Sequence, residues 1–356
     1  MRLKFKTIAL ALTALTLTSV ESMAAVEWNV SLWGKPRVFT EHIEMLSKLV
    51  SKKTKGTFKI KLHYDEKLSK SKENLDGISI GAFEMAQFCV GYHRDKIPTL
   101  NVLELPFLGV STLEQEIRVS QAVYDHPSVK RDLARWNALL LMPSPLPQYN
   151  IAGVGKPIKR ILDFRNADIR ATGGIAKAFK ALGATAKPLE PTQVTNSIKT
   201  GVVTSAAFAE HAHLFYGTLK EAKWWTSNLN PGTINCPVVI NKDAFGKLSE
   251  EHKKILLDSV TPALTHYLKK YKFIQNKKFE AVLKKNKIEK VVFPEEDLAD
   301  FVRKAANPTR DEWIKSMQAK GIPGQDLYDL IKKTIATTPV APPPSKAPPK
   351  KRRKRK

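Results

Sequence analysis

Residues 167–209, ADIRATGGIAKAFKALGATAKPLEPTQVTNSIKTGVVTSAAFA, decide the fold class of this 356-residue chain. Three short apolar runs in it, ADIRAT, ATAKPLE and VVTSAAFA, are typical of buried strands. Between them lie GGIAKAFKALG, with a glycine past its last apolar residue, and PTQVTNSIKTG, with a proline in its first turn, and both patterns predict helices. Strands that alternate with helices in this way form parallel sheets with right-handed crossovers. The stretch therefore predicts an α/β fold.

An earlier stretch of the chain repeats the same order of elements. VEWNVSLWG (26–34), TFKIKLHY (57–64) and AFEMAQFCV (82–90) predict strands, while residues 37–53 and KENLDGISIG (72–81) predict helices. Both stretches run from a helix that ends at glycine into an apolar strand containing alanine and then phenylalanine. Two similar βαβαβ units in a chain of this length predict two α/β lobes.

A long helical segment at residues 249–285 follows the second unit. Ser249 is suited to cap its first turn, and Pro262 should kink it because proline lacks the backbone N–H of a regular helix. A helix of this length is able to strap two lobes together. We expect lobe I to comprise residues 25–150 and about 235–275, and lobe II residues 151–234 and about 276–338, with further helices at 295–318 and 324–336.

The N-terminus differs from the body of the chain. MRLKFK, followed by the apolar TIALALTALTLTSV and the small residues SMAA, is typical of a secretory signal peptide over residues 1–24, cleaved after Ala24. The alternative is a transmembrane anchor, which needs about 20 apolar residues, more than this run contains. We therefore expect export to the periplasm.

At the other end, residues 339–356 are rich in proline and finish in KKRRKRK, a composition that predicts a disordered basic tail. The formal net charge of the chain is +25, which favours anionic ligands or surfaces. Behind a signal peptide the tail would meet the anionic envelope surface, and the alternative is a solvated end that adds only solubility. No nucleic-acid recognition motif accompanies the run, so we expect no nucleic-acid partner.

A search for catalytic and metal-binding patterns finds little. The chain has none of the patterns GxSxG, HExxH, CxxC or a P-loop, and we expect neither an enzyme nor a cofactor. His211 and His213 are a suggestive pair for a metal, but no third ligand lies near them in sequence, and two helix or loop histidines are the alternative. Cys89 and Cys236 each lie in an apolar context typical of a buried free thiol, although an oxidising compartment also permits a disulfide.

Arg170 stands out among the polar residues. It ends a predicted strand and precedes a helix that begins at Gly173 and Gly174, where the absence of a side chain allows a ligand to approach the backbone. Ligands of open α/β sheets bind beyond the carboxyl ends of the strands, and a guanidinium beside a helix N-terminus suits a carboxylate. A surface ion pair with Asp163 or Asp168 is the alternative, and the residues alone leave both open.

A family resemblance is carried by the order and spacing of three segments. They are residues 31–108, which begin SLWGKPRVF and end in ELPFL, residues 162–208, and VVINKDAFGKLSEEHKKILLDS at 238–259. Together they resemble the solute receptors of TRAP transporters, the DctP-like periplasmic binding proteins, over about residues 26–335. The resemblance implies a two-lobe α/β periplasmic-binding-protein fold with a strap helix across both lobes. It also implies a receptor that captures a small organic acid and delivers it to a TRAP membrane permease.

The resemblance also implies roles for particular residues. In that family the arginine at the position of Arg170 pairs with the carboxylate of the ligand. Phe208 stands where members that bind polar acids often carry asparagine, which implies a less polar ligand body, aromatic or branched, and Thr204 replaces an acid of the family pattern. Strand ends and lobe crossings supply the other candidate binding residues, the aromatic ones having a place in the core as their alternative. These are Trp33, Phe88, Tyr92, Tyr149, Asn150 and Gly173.

Further donors and further functions remain open from the sequence. Arg37 and His93 are candidate additional donors, whereas Glu73 is better explained as an acid in the first turn of a helix. The alternative functions are a receptor for an ABC importer or a sensor, which would share the fold, and a two-lobed enzyme that acts on organic acids. The strap helix favours the TRAP receptor. We expect a monomer that works with TRAP permease subunits and binds no metal.

Overall fold

The computed structural model describes residues 25–338, so the predicted signal peptide (1–24) and basic tail (339–356) lie outside the described residues. Its strands are β1 (Val26–Ser31), β2 (Phe58–His63), β3 (Met85–Gln87), β4 (Ala138–Met142), β5 (Asn150–Gly153), β6 (Asp168–Arg170), β7 (Thr185–Lys187), β8 (Ser205–Phe208), β9 (Trp224–Thr226), β10 (Val238–Asn241) and β11 (Glu289–Val291).

Its α-helices are α1 (Glu41–Lys53), α2 (Asn74–Ser79), α3 (Leu113–Asp125), α4 (Pro127–Ala134), α5 (Gly173–Ala181), α6 (Val194–Lys199), α7 (Glu210–Phe215), α8 (Thr218–Glu221), α9 (Lys242–Gly246), α10 (Glu250–Asp258), α11 (Val260–Phe273), α12 (Glu280–Lys285), α13 (Glu295–Phe301), α14 (Asn307–Gln318) and α15 (Gly324–Thr337). Short 3-10 helices occupy Val38–Thr40, Val90–Tyr92, Pro98–Glu104, Ile161–Phe164 and Pro191–Gln193. Two π-helical stretches, Ile274–Phe279 and Val302–Ala306, connect neighbouring α-helices.

The strands form two sheets. The first has the order β2-β1-β3-β10-β4 and the second has the order β11-β9-β5-β8-β6-β7. β1 is parallel to β2 and β3, and β6 is parallel to β7 and β8, as two βαβαβ units require. The strand that enters each sheet after a crossing, β10 or β5, runs antiparallel to both of its neighbours. We call the first sheet with its helices lobe I and the second lobe II, and the predicted two-lobe α/β fold is confirmed.

The stretch at residues 167–209 folds as its pattern predicts, into β6, α5, β7, α6 and β8 in that order. Gly183 and Gly201, which follow the two helices, have φ angles of +88° and +74°. Left-handed backbone at a helix end is inexpensive only for glycine, so these residues stop the helices where the sequence predicts. The unit leaves Arg170 as the last residue of β6, with β7 and β8 on either side.

Two chain segments cross between the lobes and lie side by side. The first, residues 143–149, leads from β4 to β5, and the second, residues 227–237, leads from β9 to β10. The backbone N–H of Tyr149 donates to the carbonyl of Gly232 over 2.7 Å. The side-chain amide of Asn150 donates to the side-chain oxygen of Asn230 over 2.8 Å. Tyr149 is therefore the last residue of the first crossing, and Asn150, the first residue of β5, bonds to the second crossing, where the sequence predicts the lobes to be joined.

The two cysteines form a disulfide, Cys89–Cys236, which corrects the expectation of two buried free thiols. Cys89 follows β3 and Cys236 precedes β10, and these two strands are antiparallel neighbours in the first sheet. The apolar context of each cysteine was interpreted as a sign of free thiols. It reflects instead the buried position that the bonded pair shares, since both residues are almost fully buried.

The helical segment at residues 249–285 is the predicted strap. It breaks at Ser259, between α10 and α11, three residues before Pro262, where proline removes one helical hydrogen bond. On one side α11 packs along α1 of lobe I. On the other side the Tyr271 hydroxyl lies 2.8 Å from Nδ1 of His211 in lobe II, and the Tyr267 hydroxyl donates to the carbonyl of Pro145 in the first crossing. The strap thus contacts both lobes and a crossing segment.

The last helix, α15, packs at a place that the sequence does not indicate. We expected residues 276–338 with lobe II, yet α15 packs against α3 and the 3-10 helix Pro98–Glu104 of lobe I. Leu327 and Ile331 of α15 are fully buried there, beside Val119 and Val123 of α3. The pattern of α15 predicts a buried face but does not identify its partner. No helix within residues 25–338 is long and apolar enough to span a membrane.

Candidate functional site

A group of aromatic and cationic side chains from both lobes meets beside the crossings, and we call it the cleft cluster. It comprises Trp33, Arg37, Phe39, Tyr92, Tyr149, Arg170, Phe208, His211, Phe215 and Tyr216. The ring of Phe39 from lobe I stacks on His211 from lobe II, with centroids 5.4 Å apart. Within lobe II, Phe208 stacks on Tyr216 at 5.9 Å. The cluster is therefore one of the places where side chains of the two lobes meet.

Arg170 lies in this cluster and is 1% exposed. Its Nε donates to the carbonyl of Leu189 over 3.0 Å, and its Nη1 donates to the carbonyl of Ala207 over 3.1 Å. Its guanidinium lies over the ring of Phe208, 4.1 Å from the ring centroid. Loops and strands on both sides of β6 therefore hold this side chain in one orientation.

The alternative of a surface ion pair for Arg170 is not found. Asp168 pairs with Lys187 at 3.0 Å, and Asp163 pairs with Lys156 at 2.9 Å. No carboxylate within residues 25–338 lies within 4.0 Å of the Arg170 guanidinium. Arginine has five N–H donors and the two carbonyls use two of them, so the second Nη1–H and both Nη2–H remain for another acceptor.

The N-terminus of α5, two residues after β6, packs tightly against lobe I. Gly173 has φ of +61°, and a methyl group added there would collide with Oε2 of Glu104. A methyl group added at Gly174 would collide with the backbone carbonyl of Glu104. Glycine is therefore required at both positions by close contact between lobes, which differs from the expected close contact with a ligand.

Glu104 is a buried acid at this contact, and sequence reasoning did not single it out. Its Oε1 accepts from the backbone N–H of Asn235 over 3.3 Å, and its Oε2 lies 3.5 Å from Nη1 of Arg94. Burial raises the pKa of the Glu104 carboxyl from 4.5 to about 7, and the nearby Arg94 only partly offsets this. Its position within the apolar run LNVLELPFL was the available signal, because an acid in such a run is buried.

Arg37, a candidate additional donor from the sequence, forms part of the cluster on the lobe I side. It is 9% exposed, and its guanidinium lies 4.4 Å from the ring centroid of Trp33 and 5.6 Å from that of Phe215. Its Nη1 donates to the carbonyl of Lys35 over 2.9 Å. Its Nε and Nη2 are buried and have no hydrogen-bond partner among the described residues. Burial lowers the pKa of this guanidinium.

Three tyrosines lie near the two arginines. Burial raises the pKa of Tyr92 to about 12, although the positive charge of Arg170 opposes the shift. Burial also raises the pKa of Tyr216, and there both Arg37 and Arg170 oppose the shift. Tyr149 is almost fully buried, and its ring lies 6.5 Å from Phe208. The hydroxyls of all three therefore stay protonated at neutral pH and are able to donate hydrogen bonds.

Two of the candidate residues serve the framework instead of the cluster. Phe88 packs in the core of lobe I with its ring 5.1 Å from His93, whereas the neighbouring Cys89 belongs to the buried group that contains Tyr149 and Phe208. The Asn150 side chain bonds to Asn230 and accepts from the Thr226 hydroxyl at 3.0 Å, so it fixes the crossing.

The other polar candidates have structural partners as well. His93 lies in the core of lobe I, where its Nε2 is 3.3 Å from the carbonyl of Ser71. Glu73 is exposed and precedes α2, as a helix-start acid should. His213 contacts the Thr218 hydroxyl through Nδ1 and the carbonyl of Asn150 through Nε2. Within residues 25–338 no three His, Cys, Asp or Glu side chains are grouped so as to hold a metal ion.

Comparison with known proteins identifies the family. Residues 31–316 match the DctP family, described as bacterial extracellular solute-binding protein, family 7. The match covers well over half of the chain, including both lobes and the cleft cluster. The chain belongs to the DctP family of solute-binding proteins. The expected resemblance is thus confirmed, and the chain is a solute receptor by family.

Individual DctP-family proteins are similar along almost the whole chain. The 2,3-diketo-L-gulonate-binding periplasmic protein YiaO of Escherichia coli (strain K12) is 24% identical over 338 residues, 93% of this chain and 99% of that protein. A Bordetella pertussis extracytoplasmic solute receptor binding pyroglutamic acid superimposes with a TM-score of 0.77 at 20% identity, covering 86% of this chain and 100% of the other.

A second solved structure has the same fold and a different ligand. A marine metagenome TRAP solute binding protein specific for aromatic acid ligands, in complex with 3-hydroxybenzoate, superimposes with a TM-score of 0.77 at 21% identity. The similarity covers 87% of this chain and 98% of the other. At these identities the solved structures show that this DctP-family chain has their two-lobe fold.

Proposed function

We propose that this DctP-family receptor captures a small organic acid in the cleft cluster and that Arg170 binds the carboxylate of that acid. The observation that carries the proposal is a buried guanidinium with no carboxylate partner among the described residues and three N–H donors left over. An unpaired buried cation is costly, and an anionic ligand offsets that cost by forming charge-assisted hydrogen bonds. The N-terminus of α5, two residues further on, adds a favourable dipole for negative charge.

The neighbouring side chains would form the walls of the site. Phe208 covers one face of the Arg170 guanidinium. Burial raises the pKa values of Tyr92 and Tyr149, and both tyrosines lie close enough to Arg170 for its positive charge to oppose part of that rise. An aromatic platform under the arginine leaves its N–H edge for an in-plane carboxylate. The ligand body then lies among rings, which favours an aromatic or branched acid over a small polar one.

The receptor would deliver the acid to a TRAP permease in the membrane, as an exported protein with its signal peptide removed. This follows from family membership and from the N-terminal sequence, whose residues 1–24 have the features of a secretory signal. We propose binding without turnover, since the family to which the chain belongs is one of solute-binding proteins.

A screen of organic acids by thermal unfolding tests the proposed function. A ligand that binds only the folded protein raises its stability by about 2.7 kcal/mol at a hundredfold excess over Kd. Each acid that raises the Tm is then compared with its own methyl ester, which keeps the body of the ligand and removes the charge. We expect acids to raise the Tm and their esters to leave it unchanged.

Two results would contradict the proposal. One is a screen in which neutral esters or amides stabilise the protein as much as the acids. The other is slow conversion of the bound acid into a product, detected by chromatography of the recovered ligand, which would favour the two-lobed enzyme. A wild-type sample without ligand, heated in the same buffer as each acid, gives the Tm of the protein itself.

A further inference from the structure

The cleft cluster contains a second buried cation that the capture of one carboxylate does not use. Arg37 lies after β1, immediately before the 3-10 helix Val38–Thr40. Of its five N–H donors, one on Nη1 reaches the carbonyl of Lys35. Nε and Nη2 are both buried without a hydrogen-bond partner among the described residues. Buried polar groups are nearly always paired in proteins, so these unpaired donors require an explanation.

The surroundings of Arg37 hold it in place without neutralising it. The guanidinium lies against the rings of Trp33, Phe39 and Phe215, and a side chain added at Gly34 would collide with Nη1. No carboxylate within residues 25–338 lies within 4.0 Å of it. The two groups without a partner, Nε and Nη2, form the edge of the guanidinium that binds a carboxylate through two parallel hydrogen bonds.

The positive charges of Arg37 and Arg170 both act on Tyr216. Both positive charges oppose the upward shift of the Tyr216 pKa, and the Tyr216 hydroxyl itself is buried with no partner among the described residues. A series of aromatic rings connects the two cations: Phe208 contacts Arg170, Phe215 contacts Arg37, and Tyr216 contacts both of those rings. Nε1 of Trp33 is a further buried donor without a partner in the described residues.

We propose that Arg37 binds a second anionic group of the ligand, so that the receptor takes a dianion whose two acidic groups are separated by a flat apolar body. The proposal rests on the proposed function, in which Arg170 binds the first carboxylate. A compact dicarboxylate would place its second charge against the rings between the arginines, at a cost of desolvation. A ring that carries two acidic groups places one charge on each guanidinium and its apolar body between them.

The test uses benzoate and the three benzenedicarboxylates, phthalate, isophthalate and terephthalate, as probes in calorimetric titrations. We expect at least one dicarboxylate to bind wild type at least tenfold more tightly than benzoate. Arg37→Gln should weaken the binding of that dicarboxylate at least tenfold more than it weakens the binding of benzoate. Arg165→Gln, at an exposed arginine of lobe II, is the matched control and should change neither.

A ligand-side control keeps the test independent of how well the variant folds. The monomethyl ester of the tightest dicarboxylate should bind wild type no better than benzoate. The proposal is overturned if benzoate binds wild type as tightly as all three dicarboxylates, if Arg37→Gln weakens mono- and dianion equally, or if none of the four probes binds. The acid screen above decides separately whether the receptor binds carboxylates at all, because it contains monoacids that need Arg170 alone.

Discussion

The two buried arginines of the cleft cluster are similar in their stacking and different in their support. Arg170 lies over Phe208 at 4.1 Å and Arg37 over Trp33 at 4.4 Å. Arg170 ends a strand in the middle of a sheet, and two backbone carbonyls fix its guanidinium. Arg37 lies in a loop after β1, where one backbone carbonyl accepts from it.

The difference suggests two roles. Arg170 is the anchor, which binds a group that every ligand has, and Arg37 is the selector, which binds a group that only some ligands have. A cation fixed by the backbone of a sheet has the same orientation whichever ligand is present, so it suits the group that all ligands share. Arg37 has more N–H donors without a partner, and these strengthen the binding of only those ligands that reach them. We therefore expect changes at Arg170 to affect every ligand and changes at Arg37 to affect only some.

Removal of the anchor should have the largest effect. Arg170→Ala should weaken every bound carboxylate by about 2–5 kcal/mol, a factor of roughly thirty to several thousand, because a buried charge pair loses one partner. Arg170→Lys should also bind poorly, since an ammonium lacks the planar fork. Calorimetric titration measures both, and Arg165→Ala is the control at an exposed arginine. Two Arg170 variants within twofold of wild type would refute the anchor.

Gly173, beside the anchor, tests the contact between lobes. Gly173→Ala should lower the free energy of unfolding by about 1–2 kcal/mol for its left-handed backbone, and further for the collision with Glu104. Gly155→Ala is a matched control, because Gly155 has φ of +68° and nothing within 4 Å of the added methyl group. Urea unfolding should show a clearly larger loss for Gly173→Ala. Equal losses would mean that the lobes do not meet at this point.

Glu104, on the lobe I side of that contact, predicts a pH dependence. Its pKa rises from 4.5 to about 7 in the folded protein, so the folded state keeps a proton that the unfolded state loses between these pH values. The free energy of unfolding should therefore fall as the pH rises from 4.5 to 7, with a contribution on the order of 3 kcal/mol, and level off above pH 7. Glu104→Gln should flatten this slope in urea titrations.

The control for this pH effect is Glu251→Gln, at an exposed acid of α10, which should keep the wild-type slope. Since other buried acids also titrate, the comparison between the two variants carries the test, and the wild-type curve alone does not. An unchanged slope in Glu104→Gln would contradict the raised pKa.

Replacing the rings that stack on the two arginines should have the smallest effect on ligand binding. The ligands affected should differ between the ring on Arg170 and the ring on Arg37. Phe208→Leu keeps an apolar side chain under Arg170 and removes the ring face, which should weaken every carboxylate by about 1 kcal/mol, or roughly fivefold. Trp33→Leu should leave monocarboxylates unchanged, because it acts on Arg37. Titration of both variants with benzoate measures the contrast. A larger loss for Trp33→Leu than for Phe208→Leu would reverse the roles of the two arginines.

The fold was predictable because its signals are local. Periodic apolar residues and glycines at helix ends define each βαβαβ unit within one continuous stretch of the chain, and Gly183 and Gly201 stop their helices as expected. The contact between α15 and α3 and the Cys89–Cys236 disulfide, formed across 147 residues, were not predictable in this way. A buried face or an apolar cysteine indicates that a partner exists but does not identify it.

The candidate site was predictable where a single backbone position determines the role. Arg170 ends a strand, and the crossings at Tyr149 and Asn150 follow from topology. Phe88 is predicted in the site because it follows β3, yet its side chain packs in the core of lobe I, while that of Cys89 lies in the buried group that contains Tyr149 and Phe208. Tyr216 and Glu104 were missed, since each depends on neighbours that come from distant parts of the chain.

The central claim is that Arg170 anchors the carboxylate, and a crystal structure of the complex with the tightest-binding acid of the screen tests it most directly. The account predicts a carboxylate oxygen within about 2.7–2.9 Å of the free Nη1 and Nη2 donors of Arg170, with the ligand body against Phe208. A carboxylate bound by Arg37 alone, with Arg170 still bonded only to the carbonyls of Leu189 and Ala207, would contradict it.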